Sequence, residues 1–185
     1  MSMLVLSSQS PRRRQLLEQA GFSFLVRTAS VQEIRAAGES PKDYVMRLAR
    51  AKSEAVPCNP GEIILGADTT VVIDNDVVLE KPQDNSDARR MLRLLSGRSH
   101  VVLTGICLRD TDRRIVDVES TTVRFSTLTT EEIEAYIASG EPFDKAGAYA
   151  IQGLASKFVE HIDGCFFNIV GLPISLVHRR LKELY

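Results

Sequence analysis

Apolar positions along the chain come in short runs separated by amphipathic stretches, which predicts strands alternating with helices. Met3-Leu4-Val5-Leu6 reads as a strand, and Ser10-Pro11 supplies the residue types preferred at the N-cap and first turn of a helix. Leu16, Leu17 and Ala20 then recur at helical spacing, and Gly21 suits the residue beyond the helix end. A second strand is expected over 22–26, followed by a polar connection, 28–40, that carries Glu33. Ser40-Pro41 repeats the helix-start signal, and Tyr44, Val45, Leu48, Lys52 and Ala55 share one side of the helix that follows.

Residues 63–73 are the most strand-like segment, and Asp68 interrupts it. Asp74-Asn75-Asp76 marks a turn, so 77–79 should return as a hairpin and carry Lys81 near the Asp68 strand. Beyond it a helix opens around Ser86 and closes at Ser96-Gly97, its arginines Arg89, Arg90 and Arg93 read as solvated. Strands over 101–108 and 115–125 form an expected antiparallel pair, with His100 an ordinary residue at a strand edge. Thr129 and Glu132 make a capping box for a helix ending at Gly140. The stretch 140–153, rich in glycine and charge but too apolar for a linker, reads as a binding loop. Further strands are expected near Phe158-Val159 and over Phe166–Val170, then a last helix buried through Ile174, Val177 and Leu181.

Composition narrows the function classes. A chain of 185 residues with 44% hydrophobic and 25% charged positions can bury a real core without staples, which argues against disorder. Its net charge of −1, with no long basic run and no aromatics interleaved among the arginines, gives nucleic acid or an anionic membrane little to bind. Three scattered cysteines argue against a disulfide framework or a zinc site and point to a reducing, cytoplasmic setting. No apolar stretch approaches a membrane span, and no repeat divides the chain, so one continuous enzyme-sized domain is expected.

Positive charge is instead local. Arg12, Arg13 and Arg14 occupy the first turn of the first helix, where the macrodipole disfavours cations by about 0.3–1 kcal/mol each. An anion held by backbone donors, the hydroxyls of Ser8 and Ser10 and the guanidinium groups would offset that repulsion; a well-capped surface helix is the alternative. Asp68 in its apolar strand needs hydrogen bonds, a cation or a metal. Lys52 either snorkels to water or serves a cleft. No GxxxxGK[ST], GxGxxG or HExxH pattern occurs, which sets aside P-loop, Rossmann and zinc-protease readings and leaves carboxylates, Asp68 and Glu33, as ligands for Mg2+ or Mn2+. The set describes phosphoryl or nucleotidyl transfer. Ser8, Ser10, Arg12 and Arg13 would hold polyphosphate, Lys52 and Lys81 would neutralise the leaving group, and Asp68 would bind the metal or deprotonate water.

The runs Ser8-Gln9-Ser10-Pro11-Arg12-Arg13, Gly66-Ala67-Asp68-Thr69, Glu80-Lys81-Pro82, Leu95-Ser96-Gly97-Arg98 and Asp144-Lys145-Ala146-Gly147-Ala148-Tyr149, in order, resemble the Maf family of nucleoside triphosphate pyrophosphatases. The resemblance implies a single domain spanning 1–185, an α/β fold with a long twisted mixed sheet and flanking helices, two lobes around a central cleft, similar to the inosine triphosphate pyrophosphatases. It implies hydrolysis of dTTP and UTP to the monophosphate and pyrophosphate with a divalent cation, in a homodimer. Carried onto matching positions, Asp68 would be the general base, Arg12, Thr69 and Gln152 would select the nucleobase, and Ser8, Arg13, Glu33, Lys52 and Lys81 would line the phosphate and metal site. Ala150 stands where the family often has Gly, and Ser7 where it often has Ala. The alternative class is a nucleotide-binding regulator of cell division or septum formation that does not turn over its ligand.

Overall fold

The structure is a computed structural model and describes residues 2–184. Its chain order is β1 (Met3–Ser7), α1 (Pro11–Gln19), β2 (Phe24–Val26), α2 (Pro41–Glu54), β3 (Glu62–Ile73), β4 (Val77–Leu79), α3 (Asn85–Leu95), β5 (Ser99–Arg109), β6 (Arg114–Phe125), α4 (Thr130–Ala138), β7 (Val159–Asp163), α5 (Phe166–Val170) and α6 (Ile174–Leu181), with three short 3-10 turns between α4 and β7. The expected α/β class with a mixed sheet is what the chain forms: seven strands in the order β2-β1-β3-β5-β6-β7, with β4 paired onto β3. Strand β1 is parallel to β2 and β3, while β3–β4 and β6–β7 are antiparallel. Among the described residues, no helix is long and apolar enough to cross a membrane.

Two compact units divide the chain: Met1–Thr69, Thr104–Glu119 and Gly171–Tyr185 in unit 1, Thr70–Leu103 and Ser120–Val170 in unit 2. Unit 1 is built on β1 and the first part of β3, whose Leu4, Val5, Leu6, Ile63, Ile64 and Leu65 are all buried. Both helix starts flagged in the sequence cap as expected: the Ser10 and Ser40 hydroxyls accept from the Arg13 and Asp43 amides. Helix α1 ends in a Schellman turn, Gly21 N–H to Glu18 and Phe22 N–H to Leu17, with Gly21 at φ 75°. Helix α2 lies so close to the sheet that only glycine fits beneath it. A Cβ on Gly66 would stand 2.1 Å from the Ala49 carbonyl oxygen, and one on Gly105 2.4 Å from that of Val45. Both obstacles are backbone, so Gly66→Ala must push the helix away; a loss of about 1–3 kcal/mol in urea unfolding is expected.

In unit 2 the hairpin after Ile73 turns through Asp74 and Asn75, both left-handed at φ 51° and 65°, a conformation these residue types tolerate. The capping box of α4 forms, with the Thr129 hydroxyl accepting from the Glu132 amide and the Glu132 carboxylate accepting from that of Thr129. Helix α3 opens beside Ser86 as expected, with the carboxylate of its N-cap Asp84 accepting from the Asp87 amide. Three sequence readings are corrected. Arg89 is not simply solvated but grips Glu134 with both Nε and Nη2. Phe166–Val170 is helix α5, anchored by Asn168, whose amide donates to the Val102 carbonyl and the Thr121 hydroxyl.

His100, the third, is core. It is 2% exposed, stands edge-on to Phe125 and Tyr149, and shares a 2.8 Å hydrogen bond between Nε2 and the Tyr149 hydroxyl. Its Nδ1 is buried without a hydrogen-bond partner among the described residues. Burial pushes the imidazole down to about 4, so the folded state holds it neutral. Protons then bind the unfolded chain first as pH falls. Stability is full above the unfolded value near 6.5 and should decline by roughly 3 kcal/mol between there and about pH 4. Denaturant titrations across that window should show this slope in the parent protein and a flatter one in His100→Gln.

Candidate functional site

The chemistry-bearing residues of unit 1 meet where β1 runs into α1, beside β3 and the end of α2. Ser7 anchors the junction, its hydroxyl donating to the Lys52 carbonyl at 2.6 Å. Lys52 follows Leu48 by one helical turn, so the apolar side of α2 carries it toward the sheet. Its ammonium joins two carboxylates at equal distance, Asp68 Oδ1 and Glu33 Oε1, each 2.6 Å away. The lysine does not snorkel to water; it serves this cluster.

Asp68 itself is 7% exposed, while the Glu33 side chain retains 43% of its surface. Burial raises the Asp68 carboxyl above its ordinary value, and the charges of Lys52 and Arg13 offset that only in part. A carboxylate desolvated yet held by one ammonium is a stronger proton acceptor than a solvated one. Its strand position is what fixes it: β3 supplies the backbone, and Ala67 and Gly66 keep neighbouring bulk away.

The three arginines of the first turn separate. Arg14 faces outward and pairs with Glu18 at 2.8 Å, an ordinary i,i+4 surface contact. Arg12 is half-exposed. Arg13 turns inward, 8% exposed, and four of its five N–H donors go to protein oxygens. Its Nε donates to the Gly171 carbonyl and Nη1 to that of Ala67, both at 2.8 Å, while Nη1 also reaches Ser8 Oγ and Nη2 reaches Thr69 Oγ1, both at 3.1 Å. Arg13 thus ties α1, β3 and the turn before α6 together, a role beyond the phosphate contact expected of it. Thr69 is drawn into the same network, its hydroxyl 2.9 Å from that of Thr104 and 3.3 Å from the Gly171 carbonyl.

Ser8 and Ser10 act as acceptors. Ser8 Oγ accepts from the Ser10 amide and from Arg13, and Ser10 Oγ accepts from the Arg13 amide. With acceptor sites so used, each hydroxyl has its proton to donate. Lys81 and Gln152 belong to unit 2, and both are exposed. Lys81 lines a polar hollow of about 440 Å³ with Glu80, Asp84, Asp87 and Arg90. Gln152 sits in the loop after the 3-10 turn at Ala146–Ala148. In that loop Lys145 pairs with Asp144 and donates to the Glu141 carbonyl at 2.7 Å.

A family description, Maf-like protein, matches residues 3–184, nearly the whole chain. The chain belongs to the Maf family. Its Maf relatives include proteins named dTTP/UTP pyrophosphatase from Koribacter versatilis, 51% identical over 97% of this chain and 93% of that one, and from Symbiobacterium thermophilum, 48% identical over 100% and 93%. The Staphylococcus aureus Ham1 protein shares the fold, with a TM-score of 0.56 at 11% identity over 99% of this chain and 100% of that chain. The seven-stranded mixed sheet of this Maf chain thus has the fold of that Ham1 protein.

Several residues of the site are absent from the sequence reading. The Ala67 and Gly171 carbonyls accept from Arg13, and Thr104 joins the network through the hydrogen bond it shares with Thr69. Gly171 opens the Gly-Leu-Pro run, but nothing in a sequence marks a carbonyl as a ligand. In unit 2, Tyr136 and Glu141 brace the Gln152 loop; the available signal was a tyrosine on the buried side of α4, whose hydroxyl must find a partner.

Proposed function

We propose that this chain hydrolyses the α–β anhydride of dTTP and UTP, releasing the nucleoside monophosphate and pyrophosphate. What carries the reading is the buried Asp68 carboxylate held by Lys52, in a chain about half identical to relatives bearing that name. Asp68 accepts a proton from the attacking water, whose oxygen forms the new bond to phosphorus as the bridging anhydride oxygen departs with the leaving group. Lys52 holds the carboxylate in place and returns positive charge to the site as the phosphates gain negative charge. The Ser8 and Ser10 hydroxyls donate to phosphate oxygens, Arg12 and Lys81 add positive charge, and Gln152 offers both a donor and acceptors to a pyrimidine edge.

The donor set fits a divalent cation. Asp68 and Glu33 present hard carboxylate oxygens to one cation, the Lys52 ammonium, and among the described residues no group of three or more His, Cys, Asp or Glu side chains gathers into a complete cage. Substrate phosphates and water would complete the shell, the usual mode for Mg2+. Bound beside Asp68 and Glu33, Mg2+ or Mn2+ would neutralise phosphate charge and so assist anhydride cleavage.

Incubation with dTTP or UTP and magnesium should yield monophosphate and pyrophosphate in equal amounts. Orthophosphate with a diphosphate would overturn the reading. So would tight nucleotide binding without turnover across several metals, which is the behaviour of a regulator.

A further inference from the structure

The Gln152 loop is fastened at two backbone amides, and both fastenings belong to one pair of side chains. The Tyr136 hydroxyl, on the buried side of α4, accepts from the Ala150 amide at 3.2 Å and donates to Glu141 Oε1 at 2.8 Å. The other oxygen of that carboxylate, Oε2, accepts from the Leu154 amide at 3.0 Å. Ala150 and Leu154 flank Gln152 by two residues on either side. Between them Gly153 donates to the Ala150 carbonyl at 3.0 Å, closing a turn with Gln152 at its exposed tip. The carboxylate lies so close that a Cβ on Gly153 would stand 2.3 Å from Oε2. A side chain at 153 would therefore have to displace this carboxylate from its hydrogen bonds.

We infer that Tyr136 and Glu141 are positioning residues for nucleobase selection: a two-point clamp that fixes the backbone on both sides of Gln152 and so sets where its amide meets the base. The inference rests on the reading of Gln152 as the base-recognising residue. Neither clamp residue touches substrate. Their chemistry suits the task, because a carboxylate accepts at two oxygens at once and a phenol both accepts and donates. Burial, with Glu141 alongside, pushes the Tyr136 phenol well above its ordinary value, so it remains a protonated donor at working pH. A loop held at one amide would swing about it; held at two, it presents one side-chain position.

The test compares pyrophosphate release from UTP and from GTP in the full-length protein. Tyr136→Phe removes the acceptor for the Ala150 amide, and Glu141→Ala removes the acceptor for the Leu154 amide together with the bond that orients the Tyr136 hydroxyl. Each should lower the preference for UTP over GTP by about tenfold, the worth of one well-placed hydrogen bond, with the change in KM for UTP. Glu141→Gln should restore the preference in part, because its single amide oxygen keeps the Leu154 link while its NH2 must donate to the Tyr136 oxygen where the carboxylate accepted from it. Gln152→Ala should lose the preference, and the double variant Tyr136→Phe/Gln152→Ala should lose no more. Equal losses on UTP and GTP, or fully additive losses in the double variant, would show a general packing role and overturn the clamp. A parent protein that prefers UTP through Gln152 while Tyr136→Phe and Glu141→Ala keep that preference would overturn the clamp alone. A parent that treats both nucleotides alike would overturn the Gln152 reading and the clamp with it.

Discussion

Asp68→Asn is expected to lower kcat for dTTP and UTP by about 10²–10⁴-fold, the range removed with a general base. The amide matches the carboxylate in shape but cannot take a proton from water. Its effect on stability should be small by comparison, because two changes oppose each other. The substitution relieves the burial cost that raises the Asp68 carboxyl, and it leaves the Lys52 ammonium with Glu33 as its remaining carboxylate in the cluster. Unchanged unfolding with lost turnover separates chemistry from folding. Turnover within threefold of the parent would remove Asp68 from the reaction. Glu33→Gln offers the contrast: its side chain is 43% exposed, so it should act through metal and substrate affinity and be partly rescued by raising the magnesium concentration.

How far the site could be read in advance follows from what each residue depends on. Lys52 could be placed on the apolar side of α2 because helical spacing is local, and Asp68 stood out because a carboxylate inside an apolar strand breaks a local pattern. Their meeting at 2.6 Å was not local. It depends on how closely α2 approaches β3, which Gly66 sets through a backbone contact that no periodicity announces. The caps at Ser10, Ser40 and Thr129 were legible for the same reason as Lys52, each being a side chain bonded to an amide three residues on. Phe166–Val170 was not, since five apolar residues suit a buried strand or a short helix alike, and the choice is made by Asn168 reaching Val102 and Thr121. His100 was misplaced because its partner, Tyr149, lies 49 residues away. The helix dipole marks all three arginines of the first turn of α1 as unusual, while only Arg12 and Arg13 were expected to hold polyphosphate. One turn of helix points neighbouring side chains in different directions, and that separates Arg12, Arg13 and Arg14.

Arg13→Ala shows the consequence. If Arg13 were only a phosphate ligand, the variant would fold normally and bind substrate poorly. The geometry gives a different expectation: a stability loss of about 3–5 kcal/mol, because truncating a buried charged donor leaves its partners unpaired. The Gly171 and Ala67 carbonyls would each lose a 2.8 Å bond, and the Thr69 and Ser8 hydroxyls one of 3.1 Å each. Asp68 would lose a second positive neighbour, raising its carboxyl further. Arg13→Lys should recover little, since an ammonium on a flexible stem cannot reproduce a planar fork aimed at four oxygens. Arg12→Ala should behave differently, retaining stability and losing affinity for the triphosphate, because Arg12 is half-exposed where Arg13 is buried. Urea unfolding of the two variants beside their KM values decides the matter. A stable Arg13→Ala protein with raised KM alone would return Arg13 to the phosphate, whereas a destabilised one beside a stable Arg12→Ala would divide the pair into a structural tie and a substrate ligand.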